Sequence, residues 1–311
     1  MINICTLSDI NYAHYALALF KSIDENTQSD FTFHYLCIDD ESYKLFKSKN
    51  YDNIKVYGIQ DLEQDEQFST LKKNTTYSPM SYDVSNTYCF SLASYFSQYL
   101  FDHEKIEDII YVDADVLFYN DIKDIHDFAS QKSIGIMLHR HNRVGAEVGG
   151  YNVGLVYFKN DEVGYNCLNW WKNCVINPDN EWAGICGTCG DQKYLEAFEP
   201  LFGAENICVI DNEIGHGAPW NLALYNYQDD ESGGEFLWKP RNGLRLIDSE
   251  EKKQKMYFIH FSQFNPKYDQ GVFSFDRNRC WVDCNLHNNQ HIINYYIDYF
   301  IQTHEAKKEL E

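Results

Sequence analysis

The feature that most constrains this chain is an apolar run from Ile109 to Phe118 that Asp113 and Asp115 interrupt. Runs of apolar and β-branched residues of this length are typical of a buried strand. Because side chains alternate along a strand, one extended strand would place both carboxylates on the same side. Two carboxylates in an apolar setting repel each other, so the pattern predicts a bound Mg²⁺ or Mn²⁺ at an open strand end. The alternative is that the strand ends here and both acids face water.

The segments before this run alternate between strands and helices. Strands are predicted at Ile2–Thr6, Phe31–Cys37 and Ile54–Ile59. A helix with apolar residues at helical spacing is predicted at Tyr12–Ile23, between the first two strands. This order predicts an α/β protein whose central sheet is mainly parallel and Rossmann-like, with helices on both faces.

The later segments continue the same alternation. Strands are predicted at Ile134–Leu138, Gly150–Phe158 and Met256–Phe261, and helices at Asn86–Phe101, Val163–Cys174 and Ile292–Ile301. The polar stretch from Glu63 to Ser81 shows no clear period and predicts a loop. We expect a main domain over residues 1–275 and a C-terminal helical extension over residues 276–311.

Composition limits the class of partner. The chain has 311 residues, 44% of them hydrophobic, which suits a large globular domain with an appendage. A net charge of −21 argues against a nucleic-acid partner and against adhesion to anionic membrane surfaces. No apolar stretch is long enough to predict a transmembrane segment, and the first residues lack the pattern of a signal peptide. Ten scattered cysteines fit a reducing compartment, so we expect a cytoplasmic protein.

Four of the cysteines leave an alternative open. Cys186 and Cys189 form one pair, Cys280 and Cys284 form another, and together they could bind zinc. The spacings are loose and the two pairs lie far apart in the sequence, so we favour free thiols.

Polar residues next to predicted strands are candidate ligand contacts, because ligands bind beyond the carboxyl ends of parallel strands. Asp9 and Asn11 follow the first strand, with helix capping as their alternative role. Asn152 begins a later strand between Gly150 and Gly154. Glycine lets the backbone pass close to a ligand, although a simple turn before a strand also fits.

Further candidates lie in the second half of the chain. Asp191 and Gln192 open a predicted helix, and either Asp191 only caps it or both residues face the pocket. Trp220 and Asn221 stand in an aromatic loop, and an exposed tryptophan beside an amide suits sugar binding. Lys267 lies in a predicted loop after the last strand and could bind a phosphate.

The order of these motifs resembles the retaining GT-A glycosyltransferases of family 8, which include bacterial lipopolysaccharide galactosyl- and glucosyltransferases and glycogenin. The matching motifs are Asp113-Ala114-Asp115, Asn152-Val153-Gly154, Asp191-Gln192 and His260-Phe261. The segments Ala218-Pro219-Trp220-Asn221 and His260-Phe261-Ser262 also resemble a large bacterial branch of these enzymes. The resemblance covers nearly the whole chain, from Thr6 to Lys267. It implies the GT-A fold for the main domain.

The resemblance also implies a role for each matched residue. The implied ligands of Mn²⁺ or Mg²⁺ are Asp113, Asp115 and His260. The implied contacts of the donor nucleotide are Thr6, Asp9, Asn11, Asp113 and Lys267. The implied contacts of the transferred sugar are Asn152, Gly154, Asp191 and Gln192, of which Asp191 and Gln192 are the implied catalytic residues. Trp220 and Asn221 are expected on the acceptor side.

The implied reaction is transfer of a hexose, with retention, from a nucleoside-diphosphate sugar to a glycan or glycolipid acceptor. UDP is the expected nucleotide, and synthesis of a cell-surface polysaccharide or lipopolysaccharide is the expected process. The metal and Lys267 would stabilise charge on the departing nucleoside diphosphate. Oxygens such as the Gln192 carbonyl could stabilise the oxocarbenium-like sugar.

Three departures from the family pattern bear on these expectations. Phe90 stands where the family often carries an arginine that contacts the donor sugar and diphosphate. Gln263 stands where a glycine is expected, and Lys267 comes one residue farther on than expected. The acidic C-terminal segment differs from the basic, aromatic tail with which bacterial members often end.

Two other functions compete with transfer. A phosphatase of the haloacid-dehalogenase type would use Asp113 as nucleophile, but it needs a second acidic cluster that does not follow Asp191. A degenerate transferase that binds sugar nucleotides without turnover is the non-enzymatic alternative. The Phe90 departure leaves room for it, whereas the intact motif residues speak against it: Asp113, Asp115, Asn152, Gln192 and His260. Turnover of a donor in the presence of metal would distinguish these functions.

Overall fold

The computed structural model describes residues 1–75, 87–140, 149–177, 179–182, 190–228, 245–247, 253–275 and 289–311. The cysteines of the zinc alternative, Cys186, Cys189, Cys280 and Cys284, lie outside the described residues. Among the described residues, no helix combines the length and the apolar composition that crossing a membrane requires.

A seven-stranded sheet forms the centre of the protein. Its strands are β1 (Ile2–Ser8), β2 (Phe31–Cys37), β3 (Ile54–Gly58), β4 (Asp108–Val112), β6 (Ile134–Leu138), β7 (Tyr151–Lys159) and β8 (Ile207–Val209). They lie in the order β3-β2-β1-β4-β7-β6-β8, and β7 alone runs antiparallel to its neighbours. The prediction of a mainly parallel, Rossmann-like sheet is therefore confirmed.

Helices cover both faces of this sheet. They are α1 (Ala13–Asn26), α2 (Asp40–Lys49), α3 (Ile59–Leu62), α4 (Glu66–Asn74), α5 (Thr87–Glu104), α6 (Ile122–Ala129), α7 (Glu162–Ile176), α8 (Phe198–Phe202) and α9 (Gln290–Leu310). Alternation along β1 sends Ile4 into a core shared with α1 and α9, and Cys5 into a second core shared with α5 and α7. The sheet is thus buried on both faces, as its apolar strands require.

The polar stretch predicted as a loop contains helix α4. The Asp65 side chain accepts a hydrogen bond from the Gln67 backbone N–H at 3.0 Å and caps the helix. Phe68 and Leu71 are buried on one side of the helix. The loop prediction was wrong because two apolar residues at helical spacing are a weak signal in a polar segment.

A second, smaller sheet crosses the end of the first. It contains β5 (Val116–Phe118), β9 (Gly215–Gly217), β10 (Asn226–Gln228), β11 (Arg245–Ile247) and β12 (Lys253–His260). Strand β5 pairs antiparallel with β12, so that Val116 lies opposite His260. The predicted single strand from Ile109 to Phe118 is therefore wrong, since the chain turns at Asp113–Asp115 and moves from the first sheet to the second.

The C-terminal helix α9 packs against the body of the protein. The Tyr299 ring stacks on Phe261, which follows β12, with ring centroids 3.9 Å apart, and also stacks on Tyr15 of α1 at 5.9 Å. Lys21 of α1 pairs with Glu309 near the end of α9. The predicted loop after β12 instead contains a hairpin of β13 (Phe264–Lys267) and β14 (Val272–Phe275). The predicted division of the chain at residue 275 stays a prediction.

Candidate active site

The two sheets bring Asp113, Asp115 and His260 together at the carboxyl end of β4. Asp113 follows β4 directly, and its backbone N–H donates to the Gly154 carbonyl at 3.1 Å. Asp115 precedes β5, and its carbonyl accepts the Phe261 N–H at 2.8 Å. Because β5 and β12 pair, the last residue of β12 lies beside both aspartates. We call Asp113, Asp115 and His260 the acidic cluster.

Short contacts join the three side chains. His260 Nε2 lies 3.1 Å from Asp115 Oδ1 and 3.7 Å from Asp113 Oδ2. The Tyr111 hydroxyl donates to Asp113 Oδ1 at 2.8 Å. The predicted spatial association of the two aspartates with His260 is thus present in the structure, although a turn and not one strand produces it.

The electrostatics of the cluster leave negative charge in excess. Burial raises the pKa of Asp113, and the charge of Asp115 adds to the shift while His260 and the Tyr111 hydrogen bond oppose it. Burial alone would lower the pKa of His260, but the charge and hydrogen bond of Asp115 outweigh burial and raise it. One imidazole beside two carboxylates therefore gives incomplete compensation.

The cluster has the composition of a divalent cation site. One ligand atom from each of the three side chains lies within 4.8 Å of the others. Two carboxylate oxygens and one imidazole nitrogen suit a divalent cation, and the oxygens favour Mg²⁺ or Mn²⁺. Since a cation would also remove the repulsion between the carboxylates, these residues fit the predicted metal.

A network of hydrogen bonds connects the acidic cluster with Gln192. Asn152 Oδ1 lies 3.4 Å from His260 Nδ1, and Asn152 Nδ2 donates to Gln192 Oε1 at 2.9 Å. The same amide nitrogen lies 3.2 Å from His139 Nε2, while His139 Nδ1 lies 2.9 Å from the Gly149 carbonyl. The Gly149 contact assigns the proton to Nδ1, so that Nε2 accepts from Asn152. His139 thereby fixes the orientation of the Asn152 amide.

Gly154 is required by this packing. A Cβ at this position would lie 2.5 Å from both His260 Nδ1 and Asn152 Oδ1. A side chain there would displace the imidazole or the amide. The imidazole of His260 and the amide of Asn152 therefore fill the space beside Gly154. The predicted contact of Gly154 with the sugar stays a prediction.

Gln192 begins a short 3-10 helix, Gln192–Ala197, next to β7. Besides the Asn152 amide, its Oε1 accepts the Val153 N–H at 3.4 Å. Gln192 Oε1 thus accepts hydrogen bonds from both Asn152 and Val153. To stabilise the sugar as predicted, this oxygen must first give up one of the two hydrogen bonds. Before the sugar binds, the hydrogen bond from Asn152 holds the Gln192 side chain in place.

Asp191 is buried without a basic partner that the described contacts show. Burial raises the pKa of its carboxyl, and the charge of Asp113 adds to the effect. Its backbone carbonyl accepts the Trp171 indole N–H at 3.0 Å. The alternative role as a cap is wrong, because its side chain caps no helix.

Phe90 lies beside this segment. A Cβ added at Gly190 would lie 2.9 Å from Phe90 Cδ2, so the ring packs directly against the backbone that precedes Asp191. Gly190 has a φ of +54°, a left-handed conformation that glycine adopts without strain. An apolar ring therefore occupies the neighbourhood for which the family pattern predicted an arginine.

The loop after β1 supplies Asp9 and Asn11. Asp9 Oδ1 accepts the Tyr12 N–H at 3.1 Å, and Asp9 Oδ2 accepts from Asn11 Nδ2 at 3.1 Å. Burial raises the pKa of Tyr12, and the charges of Asp115 and Asp9 add to the shift, so this loop lies close to the acidic cluster. Thr6 is fully buried, and its predicted contact with the nucleotide stays a prediction.

The predicted exposure of Trp220 is wrong. Its indole is 8% exposed, its N–H donates to the His139 carbonyl at 2.8 Å, and its ring packs edge-on against His260. Asn221 is fully buried and accepts the Ala218 N–H at 2.7 Å. Residues distant in sequence cover both side chains. The two side chains stabilise the site through their contacts with His139 and His260. The predicted position of Trp220 and Asn221 on the acceptor side stays a prediction.

Lys267 lies on the edge hairpin, at the end of β13, with an exposed side chain. The described contacts show no ion pair between it and the acidic cluster. Its proposed contact with a diphosphate stays a prediction.

Tyr111 and His139 are site residues that the sequence analysis did not single out. Tyr111 lies two residues before Asp113, and alternation along β4 puts both side chains on the same side. That spacing could have identified it. His139 gives no such signal, since its partner Asn152 comes from another strand.

Comparisons with known proteins show which family the chain belongs to. The family model described as "Glycosyl transferase family 8" matches residues 3–166. The uncharacterized protein YfnF of Bacillus subtilis strain 168 is 27% identical over 272 residues, which cover 80% of this chain and 84% of YfnF. The similarity to YfnF thus extends well beyond residues 3–166.

A solved structure with a TM-score above 0.5 shares the fold. A crystal structure of an active-site mutant of LgtC superposes with a TM-score of 0.53 at 14% identity, covering 86% of this chain and 89% of that one. A crystal structure of the galactosyltransferase LgtC with donor and acceptor sugar analogues gives a TM-score of 0.48 at 17% identity, covering 71% and 77%. Since the family model matches more than half of the sequence, this chain belongs to glycosyl transferase family 8 and has the fold of GT-A glycosyltransferases.

Proposed function

We propose that this protein is a metal-dependent, retaining hexosyltransferase that uses a UDP-sugar as donor and a glycan or glycolipid as acceptor. The observation that carries the proposal is the acidic cluster, whose three ligand atoms lie within 4.8 Å of one another and next to Asn152 and Gln192. Family membership supports the transferase class. Synthesis of a cell-surface polysaccharide or lipopolysaccharide in the cytoplasm stays the predicted setting.

The proposed metal is Mn²⁺ or Mg²⁺, held by Asp113, Asp115 and His260. When bound, the cation supplies positive charge that stabilises the departing nucleoside diphosphate. Tyr111 holds the Asp113 carboxylate by its hydrogen bond, and Asn152 holds the His260 imidazole through Nδ1. These two contacts keep the ligand atoms oriented before the donor binds.

Asp191 and Gln192 would contact the transferred sugar. Because burial raises the pKa of Asp191, its carboxyl is suited to donate a hydrogen bond to a sugar hydroxyl. Gln192 would place its amide oxygen near the oxocarbenium-like carbon after exchanging the Val153 hydrogen bond. Asp9 and Asn11 would contact the ribose and base, since their loop lies beside the cluster.

The experiment that tests this proposal measures ligand binding and then turnover. Ligands that bind only the folded protein raise its melting temperature. We expect UDP, but not GDP or CDP, to raise the melting temperature in the presence of Mn²⁺, and UDP-glucose or UDP-galactose to release UDP. No shift with any nucleotide, or a UDP shift that EDTA leaves unchanged, would contradict the proposal.

A sugar-nucleotide-binding protein without turnover is the second candidate. The packing of Phe90 against Gly190 favours it, because the ring takes the place of a cation next to Asp191. The two candidates differ in one result. A metal-dependent UDP shift without release of UDP from any donor, with or without acceptor, would establish the second.

A further inference from the structure

A groove beside α7 is lined by amide and indole side chains. Its volume of about 360 Å³ lies at the lower end of the range for ligand sites. The lining residues are Asn166, Asn169, Trp170, Asn173, Cys174, Asn177, Asn180, Glu181 and Trp182. None of these residues belongs to the donor site described above.

Three asparagines form a stripe on one side of α7. Asn166, Asn169 and Asn173 follow one another at intervals of three and four residues, which places them on one helical face. Asparagine is a poor helix former, so such a stripe disfavours the helix that contains it. The side-chain amides of these three residues form no hydrogen bond with any described part of the chain. Their donors and acceptors are therefore available to a ligand.

Two tryptophans stand beside the stripe. The Trp170 and Trp182 rings meet edge to face, with centroids 5.8 Å apart, and both are half-buried. Trp170 also packs edge-on against Tyr194 and Phe198, each at 6.1 Å. Its ring is thus held in place before any ligand arrives. Fixed aromatic rings beside unused amides match the C–H faces and the hydroxyls of a sugar.

Charge and position narrow the choice of ligand. Among the residues that the structure describes, Glu181 is the charged residue of the lining, and no lysine or arginine is part of it. An anionic ligand is disfavoured there, also because the whole chain carries a net charge of −21. The neighbouring Trp171 donates its indole N–H to the Asp191 carbonyl at 3.0 Å. The groove residue Trp170 packs on Tyr194, which lies in the same 3-10 helix as Gln192, so the groove borders the segment that carries the candidate transfer site.

We propose that this groove binds a neutral, hydroxyl-rich oligosaccharide and holds an acceptor chain beside the transfer site. The role as an acceptor site rests on the proposed function, whereas binding of the oligosaccharide does not. The asparagine amides pair with hydroxyl groups, and the tryptophan rings pack against the sugar faces. The groove thus provides the acceptor-side contacts that the buried Trp220 and Asn221 do not.

Binding of neutral trisaccharides tests the proposal. Maltotriose, cellotriose, N,N′,N″-triacetylchitotriose and mannotriose are titrated into the full chain, with binding followed by saturation-transfer NMR and calorimetry. We expect at least one of the four to bind, and the Asn169→Ala/Asn173→Ala variant to bind it at least tenfold more weakly. Because alanine is the better helix former, the melting temperature of this variant should stay the same or rise. Loss of binding then cannot be attributed to unfolding.

Matched variants complete the test. Gln302→Ala removes a side-chain amide from α9, outside the groove, and should leave the affinity unchanged. Trp182→Ala should weaken binding, whereas Trp170 is left intact because it is packed in the aromatic core. Absence of binding for all four sugars, or equal affinities of wild type and the double-asparagine variant, would overturn the proposal.

The two proposals fail in different ways. Oligosaccharide binding should be insensitive to EDTA, since the groove contains no residue of the acidic cluster. A trisaccharide that binds a protein without any UDP shift would contradict the proposed function alone. A metal-dependent UDP shift in a protein that binds none of the four sugars would contradict the groove alone.

Discussion

Two groups of buried charges lie near the carboxyl edge of the central sheet, and they are compensated differently. In the first, the acidic cluster, two carboxylates face one imidazole. In the second, the arginine network, Arg140 forms an ion pair with the fully buried Asp211 and donates to the Asp211 carbonyl at 2.6 Å. Gln254 Nε2 donates to the same carbonyl at 2.8 Å, and the Leu138 N–H donates to Asp211 Oδ1 at 3.1 Å.

The difference indicates which group needs a ligand. Every charge of the arginine network has a partner within the chain, so this network is structural. The acidic cluster has two carboxylates and one imidazole, so the described contacts leave one carboxylate without a cationic partner of its own. Buried like charges persist where function requires them, because stability alone would remove them. The predictions below test whether one group serves function and the other stability.

The largest expected effect is on turnover. Asp115→Asn keeps the shape of the side chain but removes a charge from the proposed metal site. We expect UDP release to fall about 10³-fold, because a metal ion contributes several kcal/mol to stabilising the leaving group. The melting temperature without metal should change little, since the mutation also removes repulsion from Asp113. The measurement is a coupled UDP-release assay, with melting curves taken in the presence and absence of Mn²⁺.

A variant outside the cluster controls for this experiment. Asp127→Asn changes an exposed carboxylate on α6 that pairs with Lys123 and His126 and contacts no residue of the acidic cluster among the described contacts, so it should keep full activity. If Asp115→Asn retains a wild-type rate and a Mn²⁺-dependent rise in melting temperature, the metal assignment is wrong.

The next effect is on stability and concerns the arginine network. Asp211→Asn leaves the Arg140 guanidinium facing a neutral amide in a largely buried setting. Breaking a buried pair costs about 3–5 kcal/mol, and the 19% exposure of the Arg140 side chain puts the expected loss near the lower end, about 3 kcal/mol. Urea denaturation measures the change in the free energy of unfolding.

The exposed ion pair of Lys123 and Asp127 is the control for this loss of stability. Because solvent screens Lys123 and Asp127, Asp127→Asn should cost less than about 1 kcal/mol. Equal losses in the two variants would mean that the arginine network is not the structural counterpart of the acidic cluster.

The sequence was sufficient to predict the fold but only part of the site. Strands such as Ile134–Leu138 carry an apolar pattern that local periodicity reveals, and the observed bounds agree. The pairing of Val116 with His260 joins positions distant in sequence, and no local pattern encodes it. The second sheet and the turn at Asp113 were therefore not predictable from periodicity.

Side-chain burial was the least predictable property. Trp220 and Thr6 were expected to contact ligands, yet distant segments cover both of them. Conversely, the sequence pattern did not single out His139, although it is 5% exposed and holds Asn152. Exposure depends on tertiary packing, which a single sequence does not supply.

A smaller effect concerns how the acidic cluster is held. Through Asn152, His139 orients the imidazole of His260, so His139 is a positioning residue. We expect His139→Ala to weaken Mn²⁺ binding about tenfold, as loss of partners around metal ligands commonly does. His139→Gln, whose amide can accept from Asn152 and donate to the Gly149 carbonyl, should recover most of the affinity. Calorimetry with Mn²⁺ alone measures both changes.

The structure makes these variants interpretable. Trp220 and Asn221 donate to the backbone carbonyl of His139, which both substitutions retain. The fold of this segment should therefore survive, as melting curves would verify. Equal Mn²⁺ affinities of wild type and His139→Ala would show that the acidic cluster does not depend on the amide network.

The smallest expected effect comes from an ion pair whose compensation depends on pH. His126 Nε2 lies 2.8 Å from Asp108 Oδ2, at the start of β4, and both side chains are largely buried. The hydrogen bond to Asp108 raises the pKa of His126 above its ordinary value of 6.5. A raised pKa means that the pair contributes fully below the pKa of the unfolded chain and loses its contribution as the pH rises through the folded pKa.

Comparison of wild type with His126→Gln across pH measures the contribution of His126, whose Nδ1 also lies 3.6 Å from Asp127 Oδ1. We expect wild type to exceed the variant in unfolding free energy by about 1 kcal/mol at pH 5.5, and the gap to shrink towards pH 9. Urea denaturation at four pH values measures this difference in unfolding free energy.

The arginine network is the control for pH dependence. Asp211 pairs with an arginine that stays charged throughout this range, so the loss of unfolding free energy in Asp211→Asn should be nearly independent of pH. A His126→Gln gap that widens as the pH rises would reverse the sign of this assignment, because it would mean that neutral His126 contributes more than the ion pair.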